Sequence, residues 1–220
     1  MRVMIFGATG MLGQGVLREC LRDPDVEQVL AVGRGPSGQT SPKLRDLVLP
    51  DLFRIADAAA ELAGYDACFY CLGVSSAGMS EAAYARVTYD LTVVVAEAVM
   101  RASSGLTFVF VSGAGTDATE KGRTMWARVK GRAENAVLRM PFRATYVFRP
   151  GFVEPMHGIT SRTRSYRVLG AIMKPLYPLL RRAPAIATTT ERLGRAMLAV
   201  ARQGYAKQVL ESADINVVGR

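Results

Sequence analysis

Gly7, Gly10 and Gly13 stand three residues apart in VMIFGATGMLGQG, with Gly15 two residues beyond. They directly follow a short apolar run, Arg2–Phe6. They lead into a segment whose Leu12, Val16, Leu17 and Leu21 share one helical face. In that setting each glycine has its own task. Gly7 makes a tight turn, Gly10 lets the backbone approach a pyrophosphate, and Gly13 lets helix and strand pack closely. The unpaired N–H groups that open the helix then face the phosphates. The spacing predicts a dinucleotide site; the alternative is a turn that merely needs small residues.

A site for the unphosphorylated dinucleotide commonly carries Asp or Glu on the ribose diol, about twenty residues after the last glycine. Here the second strand, Gln28–Val32, ends in Gly33-Arg34. A guanidinium holds a 2′-phosphate through paired, charge-assisted hydrogen bonds, so NADP(H) is expected in preference to NAD(H). Ser112 follows the strand-like TFVFV, which puts its hydroxyl at a carboxyl end of the sheet, where open α/β folds bind ligands. Lys130 lies four residues after Trp126, on the same helical face. Tyr84, Tyr89, Tyr146, Tyr166, Tyr177, Ser75, Ser76, Thr116, Asp117 and His157 are further polar candidates for the cleft, and no feature of the sequence selects one.

The elements that must position these groups alternate. Strands are expected at 2–6, 28–32, 44–49, 67–72, 107–111 and 144–148, with helices near 12–21, 56–62, 80–100 and 125–138. On the long helix, Ala83, Val87, Leu91, Val94, Val95 and Val99 are expected to face inward. A helix near 164–173 and a last strand at 207–211 complete the pattern, and Thr188 to Glu191 has capping-box spacing before a further helix. The fold class this implies is α/β, a Rossmann-like doubly wound parallel sheet with helices on both faces. The expected organisation is one domain over 1–220, with 152–187 as a small substrate-side extension.

Thr9-Gly10-Met11-Leu12-Gly13-Gln14-Gly15 resembles the T-G-x-x-G-x-G stretch of the atypical and extended short-chain dehydrogenase/reductases, particularly the NAD(P)-binding, epimerase-like group. The resemblance covers about residues 1–155 well. It implies that Gly7, Thr9, Gly10, Met11, Leu12 and Gly13 bind the cofactor and that Asp51-Leu52 contacts its adenine. It places Cys71-Leu72-Gly73 in a loop beside the cofactor, Pro150 near the nicotinamide, and Ser112 at the catalytic serine. The family signature Y-x-x-x-K becomes Trp126-Ala127-Arg128-Val129-Lys130. Lys130 keeps the position that holds the ribose, while an indole has one N–H donor and does not titrate near neutral pH. The resemblance thus implies an NADP(H)-binding oxidoreductase or epimerase-like enzyme for a small organic substrate, working without the usual tyrosine. The alternative is a non-catalytic redox sensor or assembly protein that retains the dinucleotide.

The chain has 220 residues, half of them hydrophobic and 21% charged, enough for one substantial core. No apolar run is long enough to span a bilayer, and the first residues are not an export signal. Cys20, Cys68 and Cys71 are too few for a disulfide scaffold and are expected to be thiols in a reducing cytoplasm. Metal binding is not expected, because only His157 could join Cys68 and Cys71. The net charge of +9 is uneven, with Arg and Lys concentrated in 122–202. That region could meet an acidic partner or an anionic membrane, or be an ordinary solvated face; nucleic acid is not expected, since no recognition helix or aromatic platform accompanies the charge. The oligomeric state is left open.

Overall fold

Fully apolar runs of four to six residues form strands buried on both faces, and a parallel sheet needs such strands. The computed structural model of the chain describes residues 1–160 and 183–220. Its strands are β1 (Arg2–Phe6), β2 (Gln28–Gly33), β3 (Leu44–Val48), β4 (Ala67–Tyr70), β5 (Thr107–Val111), β6 (Ala144–Arg149), β7 (Phe152–Glu154), β8 (Ala187–Thr189) and β9 (Val209–Glu211). The main sheet runs β3-β2-β1-β4-β5-β6-β9 and its pairings are parallel. The expected doubly wound fold is therefore observed. The order reverses between β1 and β4, and at such a switch point open α/β sheets bind ligands outside the carboxyl ends of the strands. β7 and β8 pair separately as a short parallel ribbon.

Alternation along each strand divides the core into two layers. Val3, Ile5, Phe69 and Val109 pack with α1 (Met11–Arg22) and with the helix over Thr190–Gln203. Met4, Phe6, Tyr70, Phe108 and Phe110 face the other way, against the helices of 91–102 and 125–138. The C-x-x-C pair is split by the same alternation. Cys68 is buried in the second layer and Cys71 packs against the first, and all three cysteines are free. Burial raises the thiol pKa values, that of Cys71 to about 12, so these groups are poor nucleophiles.

The long helix is α2 (Glu81–Ala85), a π-helical turn at Arg86–Asp90, and α3 (Leu91–Ala102). Tyr84, Thr88 and Thr92 are its first buried positions; of the residues expected inward, Ala83 is exposed and Val87 half-buried, Leu91 and Val94 are half-buried against the second layer, and Val95 and Val99 are buried in it. Threonine is tolerated there because the Thr92 hydroxyl donates to the Thr88 carbonyl at 2.6 Å and lies 3.1 Å from the Tyr70 hydroxyl. The short helix expected near 56–62 is a kinked 3-10 segment, Leu52–Leu62. Next come α4 (Met125–Leu138), α5 (Thr190–Gln203) and α6 (Ser212–Val218). The cap of α5 is Thr189, whose side chain accepts from Arg192 N–H, and Glu191 is turned elsewhere. The helix expected near 164–173 lies outside the described residues.

Candidate active site

The glycine turn is built by contacts that exclude side chains at two of its three positions. Gly7 adopts φ +83°, and a Cβ there would lie 2.9 Å from the carbonyl carbon of Cys71. A Cβ on Gly13 would lie 2.1 Å from the Gly7 oxygen, so α1 can start beside β1 only as glycine. Gly10 differs. Its Cβ would meet one atom, the Gly7 oxygen at 3.4 Å, and otherwise open space. Gly10 N-caps α1 without a side-chain cap, and the first turn carries no acidic residue. Donors that no side chain covers, above a glycine whose missing Cβ leaves room, fit a pyrophosphate. Gln14 folds over Thr9, donating to its carbonyl at 3.0 Å, while Met11 and Leu12 begin the helix.

Neighbouring strands extend the crest. Cys71 N–H donates to the Phe6 carbonyl, bringing Cys71-Leu72-Gly73 beside the turn, and a Cβ on Gly73 would meet nothing within 4 Å. At the far side of the crevice, Leu49 N–H donates to the Gly33 carbonyl, which joins the ends of β2 and β3. Asp51 uses one carboxylate oxygen to accept Phe53 N–H at 3.0 Å, and Leu52 is buried beneath it. Arg34 is exposed. Arg34 and Asp51 thus stand at the β2–β3 side, away from Ser112 and Lys130.

Ser112 ends β5, where its N–H donates to the Phe148 carbonyl, and Ala114 N–H donates to the carbonyl of the buried Pro150. The Ser112 hydroxyl lies 3.0 Å from that of Thr116, which donates to the Gly113 carbonyl at 2.8 Å. Thr116 has one proton, so with that proton on Gly113 the Ser112 proton goes to Thr116. Ser112 then has only lone pairs to offer a further partner. The ring of Trp126 covers Gly115: a Cβ there would lie 3.6 Å from its six-membered ring. Lys130, one helical turn on, places Nζ 5.8 Å from the centroid of Phe110, a β5 residue two before Ser112 on the same face. Burial drives its pKa down to about 8, against the opposing pull of Glu134.

Glu134 is a site-supporting residue that sequence reasoning missed. It is almost fully buried and accepts Arg149 Nε at 3.0 Å and Nη2 at 2.5 Å. The pair ties α4 to the turn carrying Pro150. Its only sequence signal is Glu134 lying four residues after Lys130. Asp117 serves the loop: it accepts the Thr119 hydroxyl at 2.6 Å and Gly122 N–H at 2.6 Å, and these bonds lower its pKa. Tyr146 accepts Tyr205 N–H, and the guanidinium of Arg132 lies over the ring of Tyr89. The Ser75 hydroxyl accepts Ala77 N–H. His157, at φ +58°, bonds Glu191 at 2.7 Å. Tyr166 and Tyr177, with Arg162, Arg164, Arg167, Arg181 and Arg182, lie outside the described residues.

Residues 3–124, more than half of the chain, match the family described as NAD dependent epimerase/dehydratase family. The Emericella nidulans protein fmp52, mitochondrial, is 28% identical over 158 residues, covering 69% of this chain and 66% of that protein, just short of two thirds. The Aspergillus oryzae protein fmp52-2, mitochondrial, is 27% identical over 225 residues, covering 98% of this chain and 96% of that one. Among solved structures, MoeE5 in complex with UDP-glucose and NAD has the same fold, with a TM-score of 0.65 at 20% identity over 96% of this chain and 75% of that chain.

Two expectations are corrected. The similar solved structures whose bound dinucleotide is named hold NAD, which overturns the preference for NADP(H). The physical reason is that Arg34 is a solvent-facing side chain, and one guanidinium on an open loop does not make a 2′-phosphate pocket. The cytoplasmic location is overturned by the relatives, which are named as mitochondrial proteins. Three unpaired cysteines, two of them buried and one partly so, lack a partner in any compartment and give no guide to location.

Proposed function

The chain belongs to the NAD dependent epimerase/dehydratase family, and from that premise we propose that it is an NAD(H)-dependent oxidoreductase acting on a small carbonyl or alcohol substrate. The observation that carries this reading is the Gly7–Gly13 turn, with its uncapped helix start and the open space at Gly10, set beside a crest that bears Ser112 and Lys130.

In this reading the N–H groups of Met11, Leu12 and Gly13 hold the pyrophosphate, and the second oxygen of Asp51 accepts from the adenine amine. Leu72 and Gly73 flank the cofactor, and Pro150 borders the nicotinamide end. When bound, NAD supplies hydride acceptance or donation at its nicotinamide ring. Ser112, its own proton directed to Thr116, accepts a hydrogen bond from a substrate hydroxyl. Trp126 excludes water from the Gly113–Gly115 side, and its indole N–H can orient a substrate oxygen. Of the substrate-side extension expected over 152–187, residues 161–182 lie outside the described residues.

Trp126 is the only tryptophan, so it reports on the site directly. NADH titrated while Trp126 is excited is expected to give saturable indole quenching and energy transfer to the reduced nicotinamide. Turnover is then sought with aldehydes, ketones, quinones and enones. Calorimetry without heat for NADH and NAD+ would remove the proposal. Tight NADH binding without oxidation of the cofactor by any of these substrates would leave a binding protein and no enzyme.

A further inference from the structure

A reaction that moves a hydride to a carbonyl must also deliver a proton, and among the described residues most titratable groups near the crest are committed elsewhere. The Tyr70 hydroxyl is buried against Thr92, with its pKa raised by burial. Asp117 is held by its loop, and His157 is hydrogen-bonded to Glu191. Tyr146 is tied to the backbone of Tyr205. Lys130 is the exception. Its ammonium makes a ring contact with Phe110, and no hydrogen bond or ion pair is found for it among the described residues. Side chains on a helix lean toward its N-terminus, so the Lys130 stem rises toward Trp126 and the carboxyl end of β5.

From this geometry we propose that Lys130 is the proton-transferring group of the reaction, a catalytic residue and not only an anchor for the cofactor. The inference rests on the nicotinamide-dependent reading above. In the reductive direction the carbonyl carbon receives a hydride from the reduced nicotinamide. The electron pair of the broken C=O π bond moves onto oxygen, which takes a proton from Nζ of Lys130. The cofactor leaves oxidised, and the neutral amine regains its proton from water. In the oxidative direction the hydroxyl turns its one proton from Ser112 to the neutral amine, which takes it. An amine suits both tasks when its pKa lies near the working pH, and burial has brought Lys130 to about 8.

The charges facing this helix are already arranged in pairs. Glu134, next on the same face, is neutralised by Arg149, which also reaches Glu211 of β9. Glu81 of the facing α2 is paired with Arg128, and Arg132 is stacked on Tyr89. Protonation of Lys130 therefore responds chiefly to its burial.

Two measurements test this. The first needs no cofactor: competitive labelling of the apo protein with acetic anhydride across pH, read at the Lys130 peptide by mass spectrometry. The expected half-point is about 8, well below the value of about 10.4 for a free lysine side chain. A half-point at the free value would overturn the inference. The second is Lys130→Arg, which keeps the positive charge and hydrogen-bond donors but releases no proton below about pH 12. It is expected to lower kcat by about 100-fold or more while changing the NADH Kd by less than about threefold. A variant that keeps most of its kcat and an unchanged pH profile would show an anchoring lysine and overturn the inference alone. A wild-type protein that binds NADH but reduces no carbonyl overturns the reading beneath it as well. If Lys130→Arg fails to fold, the labelling half-point decides.

Discussion

At the scale of single residues, the three turn glycines separate a structural demand from a binding one. Gly13→Ala forces a Cβ to 2.1 Å from the Gly7 oxygen, so helix and strand must part. It is expected to cost about 1–3 kcal/mol in denaturant unfolding and to weaken NADH binding with it. At Gly10 the new Cβ points mostly into open space. Gly10→Ala is therefore expected to unfold within about 1 kcal/mol of the wild type yet bind NADH at least about tenfold more weakly, because the methyl occupies the space left for phosphate. Equal NADH affinity in Gly10→Ala and wild type would mean the turn is architecture only. Lys130 gives a prediction with a defined sign. Its folded pKa of about 8 lies below the unfolded value of about 10.4, so burying the charged form opposes folding at neutral pH. Between those two values the unfolded chain binds the extra proton, and stability rises with pH. Lys130→Met removes the group, so its stability advantage over wild type should be greatest below about pH 8 and shrink as pH approaches about 10. Paired urea melts at neutral and alkaline pH measure it, and an advantage that grows with pH would contradict the assignment.

Among the elements, α4 sets the geometry, because it carries Trp126, Lys130 and Glu134 and is held at two points. Gly131 admits the loop after β5: a Cβ there would lie 1.8 Å from the Asp117 oxygen. Alanine is the better helix former by about 1 kcal/mol, yet Gly131→Ala is expected to destabilise the protein and alter Trp126 fluorescence, since loop and helix must separate. Increased stability would show that the loop is free to move away. The second hold is the buried Glu134–Arg149 pair. Glu134→Ala leaves the guanidinium, among the described residues, with a 3.5 Å contact to Glu211 and is expected to cost about 3 kcal/mol in chemical denaturation. The legibility of each part in the sequence depends on what specifies it. The strands β1, β2, β4, β5 and β6 could be read because burial on both faces demands unbroken apolar runs. The glycine turn could be read because backbone geometry leaves no other residue at Gly7 and Gly13. β7 and β8, three residues each, are too short to show a pattern. The start of the long helix's inward face escapes hydrophobic periodicity because Thr92 can be buried with its hydroxyl bonded to the Thr88 carbonyl one turn before it. The Glu134–Arg149 tie joins residues from two elements that only packing brings together. Arg34 misled because a side chain suited to a phosphate does not by itself form a pocket for one.

For the molecule as a whole, the proposed cofactor site lies where the two halves of the sheet diverge, between β1 and β4. Its walls include both core layers: Cys71 packs with the first, Leu72 with the second. A ligand seated there stabilises the cooperative unit, not merely a loop. Binding to the native state alone adds RT ln(1 + [L]/Kd), about 2.7 kcal/mol at a hundredfold excess over Kd. For a chain of this size each kcal/mol moves the melting temperature by about 2–4 °C, so saturating NADH is expected to raise Tm by about 5–10 °C. The α1–α5 seam should share in the gain, because α1 opens at the proposed phosphate site and its Gly15 is pressed against Thr190, where a Cβ would lie 2.6 Å from the threonine Cβ. Amide exchange is therefore expected to slow in α5 as well as in the glycine turn. NADP+ at the same concentration should give the smaller shift, since the exposed Arg34 has to hold the extra phosphate without a surrounding pocket. Differential scanning calorimetry with the two cofactors separates the cases. An equal or larger shift with NADP+ would return Arg34 to the role its charge suggests. A shift with neither would mean that the crevice is not a dinucleotide site.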